Sequence, residues 1–224
     1  MENKNLPGNL FTIGYSGFQI NQFLDTLNDF KINVIVDVRS TPYSSRFSDF
    51  NIDNMKLIIS QPKNWSNGKA YYLNLKESFG AHQTNPEYYT KERYLDFEKF
   101  RQSASFLNGC ERIHKGLSLG YNIVLMCAEI EPSHCHRAIM ISRWFDLNGY
   151  KIIHILPKKT KTQRDIDEEL LKNYFKKDYS TNILIGNLLS LDKTPEQIRV
   201  ENIEKAYQKK NKEIGFRPKE EEEY

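Results

Sequence analysis

Tyr121-Asn-Ile-Val-Leu-Met-Cys127 decides how this chain folds. From Ile123 onward the run is apolar without a break, and it is too short for an ordinary helix. A short apolar run bounded by turn residues reads as a strand buried on both faces, the kind found inside parallel sheets. Gly120 precedes it, and before that Phe106, Cys110, Ile113 and Leu117 recur at i, i+4, i+7 and i+11, one stripe of a helix. Gly120 ends that helix, and Cys110 belongs to its apolar stripe as a small buried hydrophobe. After Cys127 comes a polar loop, Ala128-Glu-Ile-Glu-Pro-Ser-His-Cys-His-Arg137, and then a helix predicted from His134 to Asn148 with Ile139, Trp144, Phe145 and Leu147 apolar.

The same alternation extends in both directions. Downstream, Gly149 stops the helix, Lys151-Ile-Ile-His-Ile-Leu156 reads as a strand, and Pro157 closes it. Upstream, Leu10-Phe-Thr-Ile-Gly14, Asn33-Val-Ile-Val-Asp-Val38 and Ala70-Tyr-Tyr-Leu-Asn-Leu75 read as strands. Phe23, Leu24, Leu27 and Phe30 mark a helix, and Asp53 is the expected N-cap of another carrying Leu57 and Ile58. Strands alternating with helices predict an α/β fold: a mostly parallel sheet with helices on both faces, a Rossmann-like or rhodanese-like three-layer arrangement. Residues 1–157 are expected to form this domain. Residues 158–216 form a helical extension, with Ile166, Leu170, Leu171 and Tyr174 on one helix and Thr194-Pro195 starting a second that carries Ile198, Ile203 and Tyr207. The acidic tail, 217–224, is expected to be disordered.

Composition excludes several classes. An apolar fraction of 39% with 27% charged residues fits a globular protein, and a net charge of +3 is too mild to imply nucleic acid by itself. No run approaches the roughly 20 apolar residues of a membrane helix, and Met1-Glu-Asn-Lys-Asn-Leu-Pro-Gly8 lacks the blocks of a signal peptide. A cytoplasmic protein with no membrane partner is expected. In that compartment its three cysteines are expected as thiols, and an odd number also excludes a full disulfide framework. Nothing in the sequence sets the oligomeric state.

In parallel sheets ligands bind beyond the carboxyl ends of the strands, so three loops should share a rim: Gly14 to Gly17, Arg39 to Arg46, and Ala128 to Arg137. Cys127 is the candidate nucleophile or sulfur carrier, at a strand end and before a helix start, where N–H groups and Arg137 would favour a thiolate. Glu129 is the candidate general acid or base. Asp37 and Arg39 flank Val38 and project to one face; Arg39, Arg46 and Arg137 would make an anion pocket, with Tyr15 either stacking on a base or sugar or packing under the loop. The expected ligand is therefore small and anionic or nucleotide-like. Two alternatives stand beside this enzyme reading. Cys127, His134, Cys135 and His136 could bind zinc or iron as a sensor, although no cofactor is otherwise expected. The lysine-rich stretch Lys158 to Lys177 could serve a nucleic-acid-associated module. His82, His114 and His154 receive no role.

Thr12-Ile-Gly-Tyr-Ser16, Val36-Asp-Val-Arg-Ser-Thr-Pro-Tyr-Ser44, Phe50-Asn51, and Leu125-Met-Cys-Ala-Glu129 through Cys135-His-Arg137 together resemble the bacterial and archaeal family of domain of unknown function 488. The resemblance runs from about Leu10 to Leu156. The family's double-glycine segment is reduced here to Phe79-Gly-Ala81. It implies the α/β fold more than an activity. The order of elements around Val36-Asp-Val-Arg39 and Cys127 is also similar to that of rhodanese-like domains, whose corresponding cysteine carries sulfur in a nest of backbone N–H groups. Here the loop after Cys127 is long and lacks glycine.

Overall fold

A computed structural model describes residues 6–175 and 193–218. In chain order the elements are β1 (Leu10–Gly14), α1 (Ile20–Asp29), β2 (Val34–Asp37), α2 (Ile52–Ile59), β3 (Tyr71–Asn74), α3 (Lys76–Phe79), α4 (Phe97–Phe100), α5 (Ala104–Ser118), β4 (Ile123–Cys127), α6 (Arg143–Leu147), β5 (Ile152–Leu156), β6 (Lys159–Thr162), α7 (Gln163–Tyr174) and α8 (Pro195–Ile214). The strands form one sheet in the order β3-β2-β4-β1-β5-β6. β1 to β5 are parallel and β6 runs antiparallel to β5. β4 lies between β2 and β1, which explains its unbroken apolar run: all five of its residues are buried.

Strand alternation sends side chains to two cores. Phe11, Ile13, Ile35, Val124, Met126 and Ile155 meet α1 and α2 on one face. Leu10, Val34, Val36, Ile123, Leu125 and Cys127 meet α5, the segment after β4, α7 and α8 on the other. The extension is thus part of the second core: Ile166, Leu170, Leu171, Ile203 and Tyr207 are buried in it. Among the described residues no helix is long and apolar enough to cross a membrane.

Several local expectations change. Asn51, not Asp53, caps α2, and Asp53 lies in its first turn. The buried face of α2 is Met55 and Ile59, while Leu57 is 62% exposed. The helix expected from His134 starts later: Pro132–His134 is a 3₁₀ turn, Arg137–Ser142 is a π-helical turn, and only then does α6 begin. Pro132 and the Ser142 hydroxyl, bonded to the Arg137 carbonyl at 2.8 Å, account for this irregular entry. Lys159–Thr162, read only as the start of a helical extension, is an edge strand whose lysines and antiparallel direction suit a solvated edge. Lys176 and Lys177, and the tail from residue 219, lie outside the described residues.

Candidate metal centre

β4 ends on Cys127, in register with Gly14 of β1. Cys135 and His136 return to the same point after a seven-residue excursion, Ala128 to His134. The ligand atoms of Cys127, Cys135 and His136 all lie within 4.8 Å of one another. The His136 Nδ1 is 4.0 Å from each sulfur. Both thiols donate to Glu129 Oε2, at 3.2 Å from Cys127 and 3.1 Å from Cys135. On its other side the imidazole places Nε2 at 3.1 Å from the Val38 carbonyl oxygen. A carbonyl only accepts, so Nε2 carries the proton and the Nδ1 lone pair faces the sulfurs. Cys127 and Cys135 are 3% and 2% exposed. Glu129 is exposed as a residue, yet its carboxylate turns inward onto the sulfurs.

The ionisation of these groups is interlocked. The Cys127 thiol is pushed up by its hydrogen bond with Cys135 and by burial. Burial also opposes ionisation of Cys135, but the Cys127 thiol, Arg137 and His136 overcome it and hold that thiol below the ordinary range. Burial and then the Cys135 charge push Glu129 up. His136 is raised in spite of burial because the Cys135 thiolate favours its protonated form.

The loop between the two cysteines is held from inside and outside. Arg137 is 0% exposed; its Nη1 donates to the Glu129 carbonyl at 2.5 Å, its Nη2 to the Ile130 carbonyl at 3.0 Å, and its Nε to Thr12 Oγ1 at 3.3 Å. Gly14 lies so close to the Glu129 carbonyl that a Cβ there would come within 1.8 Å of it, so only glycine fits at that strand end. From outside, Glu169 of α7 accepts from Ser133 at 2.8 Å and from Lys161 of β6 at 2.8 Å, while Lys161 also pairs with Glu131.

The remaining residues picked out by the sequence occupy neighbouring but different positions. His134 is exposed and is not among the converging ligands. Asp37 and Arg39 form a buried pair: Arg39 Nε bonds Asp37 Oδ1 at 2.8 Å and Nη2 bonds Oδ2 at 2.5 Å, with a further bond from Nη2 to the Phe50 carbonyl at 2.7 Å. Tyr72 donates its phenol to Asp37. Tyr15 is buried, stacked on Phe50 with ring centroids 4.5 Å apart, and the Arg39 guanidinium lies 4.9 Å from its ring centre. Arg46 is exposed, over the ring of Phe47. Of the three arginines, Arg137 has its donors on the protein's own loop, Arg39 is bonded to Asp37, and Arg46 is on the surface. Among these three arginines, Arg39 alone keeps a buried nitrogen, Nη1, without a hydrogen-bond partner.

The profile of one family, the domain of unknown function DUF488, matches residues 19–144, more than half of the chain. The chain belongs to the DUF488 family. No curated protein and no solved structure matches it. The DUF488 segment contains Asp37, Arg39 and the whole run from Cys127 to Arg137, so the candidate centre is built inside it. Its support comes partly from residues outside the DUF488 segment. Thr12 accepts from Arg137 and donates to His154 Nδ1 at 2.8 Å; His154 Nε2 donates to Gln163 Oε1 at 2.9 Å; Gln163 Nε2 donates to the Tyr207 hydroxyl at 2.7 Å; and Tyr207 donates to Asp167 Oδ1 at 2.8 Å. Each member has one direction open to it, so the chain of bonds runs from the Arg137 cation to the Asp167 anion. Sequence reasoning gave Thr12, His154, Gln163 and Tyr207 no part in the support of a site. The one available signal was a histidine within an otherwise apolar strand, flanked by Ile153 and Ile155.

Proposed function

We propose that this DUF488 protein is a metal-binding protein whose centre is formed by Cys127, Cys135 and His136, with Glu129 beside them. The observation that carries this reading is the convergence of two buried sulfurs and an imidazole nitrogen whose tautomer is fixed by Val38. Three soft or borderline donors turned to one point, with a backbone acceptor orienting the histidine, is the arrangement metal sites use. Tetrahedral zinc holds such atoms about 3.4–3.8 Å apart, so the 4.0 Å nitrogen–sulfur separations need to close by a few tenths of an ångström and the sulfurs, within 4.8 Å of each other, by up to about 1 Å. Two thiolates neutralise a divalent ion, and thiolate with imidazole favours zinc, with iron the second choice. A cysteine nucleophile at Cys127 needs an open face for its substrate, and burial of both sulfurs argues against that use. Metal analysis of protein purified without chelator tests the proposal. About one zinc or iron per chain is expected for this single donor set, with free-thiol titration recovering Cys127 and Cys135 only after denaturation with chelator. Metal-free protein that takes up neither ion on reconstitution would overturn it.

A further inference from the structure

We propose that Glu129 occupies an exchangeable position of this centre, which a small anion or water takes when the carboxylate swings away; the inference rests on the metal-centre reading above. The four groups are not held alike. Cys127 is the last residue of a strand paired with neighbours on both sides. Cys135 lies between the 3₁₀ turn and the π-helical turn, bonded through its N–H to the Pro132 carbonyl at 3.1 Å. His136 is fastened at its far nitrogen to Val38. These three are anchored, the cysteines by short side chains on ordered backbone and the histidine by its far nitrogen.

Glu129 differs. Its main chain is fixed, because its carbonyl receives Arg137 and packs against Gly14. Its carboxylate is hydrogen-bonded to the two sulfurs and to no residue beyond the cluster among the described residues. The residue stands at the surface. Rotation of this one side chain exposes the face of the metal it covers, and no loop has to open. Three protein ligands with a fourth position open to exchange is the plan of catalytic zinc sites, whereas structural sites close all four. The charge balance selects the incoming ligand. Two thiolates already neutralise a divalent metal, while the buried Arg137 leaves one positive charge beside it. With Glu129 turned out to solvent, a small monoanion with an oxygen or nitrogen donor restores the balance that the carboxylate had supplied.

Cobalt substitution with azide as the probe tests this. In the wild-type cobalt form, azide should shift the ligand-field bands and saturate. Glu129→Ala should keep one cobalt per chain and saturate at an azide concentration about tenfold lower, since the competing internal ligand is gone; Glu129→Gln replaces it if the alanine variant does not fold. Cobalt-loaded proteins that ignore azide, with and without Glu129, would overturn the exchangeable position and leave the metal centre standing. So would a folded Glu129→Ala that no longer holds cobalt, because Glu129 would then be an obligatory fourth ligand. Wild-type protein that takes up no cobalt, zinc or iron would remove both proposals.

Discussion

Two buried polar assemblies meet at Arg137 and are built on opposite rules. The first runs Arg137, Thr12, His154, Gln163, Tyr207, Asp167, and every donor in it ends on an acceptor. The second gathers Cys127, Cys135 and His136, whose ligand atoms lie within 4.8 Å of one another. A closed chain of hydrogen bonds holds elements in register and has nothing left to offer a ligand. Electron pairs that converge repel one another until something positive, a proton or a metal, lies between them. Polarity and burial are shared by the two; the direction of the donors separates scaffold from site.

Breaking the shared member should have the largest effect. Arg137→Ala leaves two loop carbonyls and Thr12 without their buried charged donor, and we expect a loss of roughly 3–5 kcal/mol in denaturant unfolding. Arg137→Lys should lose most of the same amount, because an ammonium cannot reproduce the fork across two carbonyls. Near wild-type stability in the lysine variant would show that the fork is not what holds the loop.

His154 sharpens the comparison through pH. Burial first, and the Arg137 charge second, push its pKa down to about 3. The folded state therefore keeps His154 neutral while the unfolded chain protonates near the ordinary value of about 6.5. Its contribution to stability is present in full above that value. It is lost as pH falls from about 6.5 toward 3, at close to 1.4 kcal/mol per pH unit. His154→Leu should cost about 2–4 kcal/mol at neutral pH by stranding Thr12 and Gln163. The gap between wild type and variant should narrow in acid. A gap independent of pH would mean that His154 is not held neutral in the fold.

Tyr207→Phe removes one hydroxyl from the far end of the same chain and should cost about 1–2 kcal/mol, read as a shift in denaturation midpoint. His134→Ala should be the quietest change, within about 0.5 kcal/mol and with unchanged metal content, because His134 is exposed and apart from the converging ligands.

The fold was legible where one periodicity ruled. β4 and α5 stand almost where apolar runs and stripes placed them, as do Thr194 and Pro195 at the start of α8. The edge strand β6 was not legible, since four alternating lysines and threonines carry no burial pattern. For the site, Cys127, Cys135 and His136 could be named from residue type alone. Which histidine of the pair turns inward could not, because that depends on the 3₁₀ and π turns that rotate His136 toward Val38 and His134 toward solvent. Glu129 was read as an acid or base; the structure instead sets its carboxylate against both sulfurs and gives Arg137 its main-chain carbonyl, a backbone contact that residue type does not reveal.

X-ray absorption at the metal edge of the protein as purified tests the central claim most directly. The account predicts zinc or iron with two sulfur neighbours at about 2.3 Å and nitrogen or oxygen neighbours near 2.0–2.1 Å, and loss of one sulfur in Cys127→Ser or Cys135→Ser. A protein without metal, or a metal surrounded by nitrogen and oxygen alone, would contradict it.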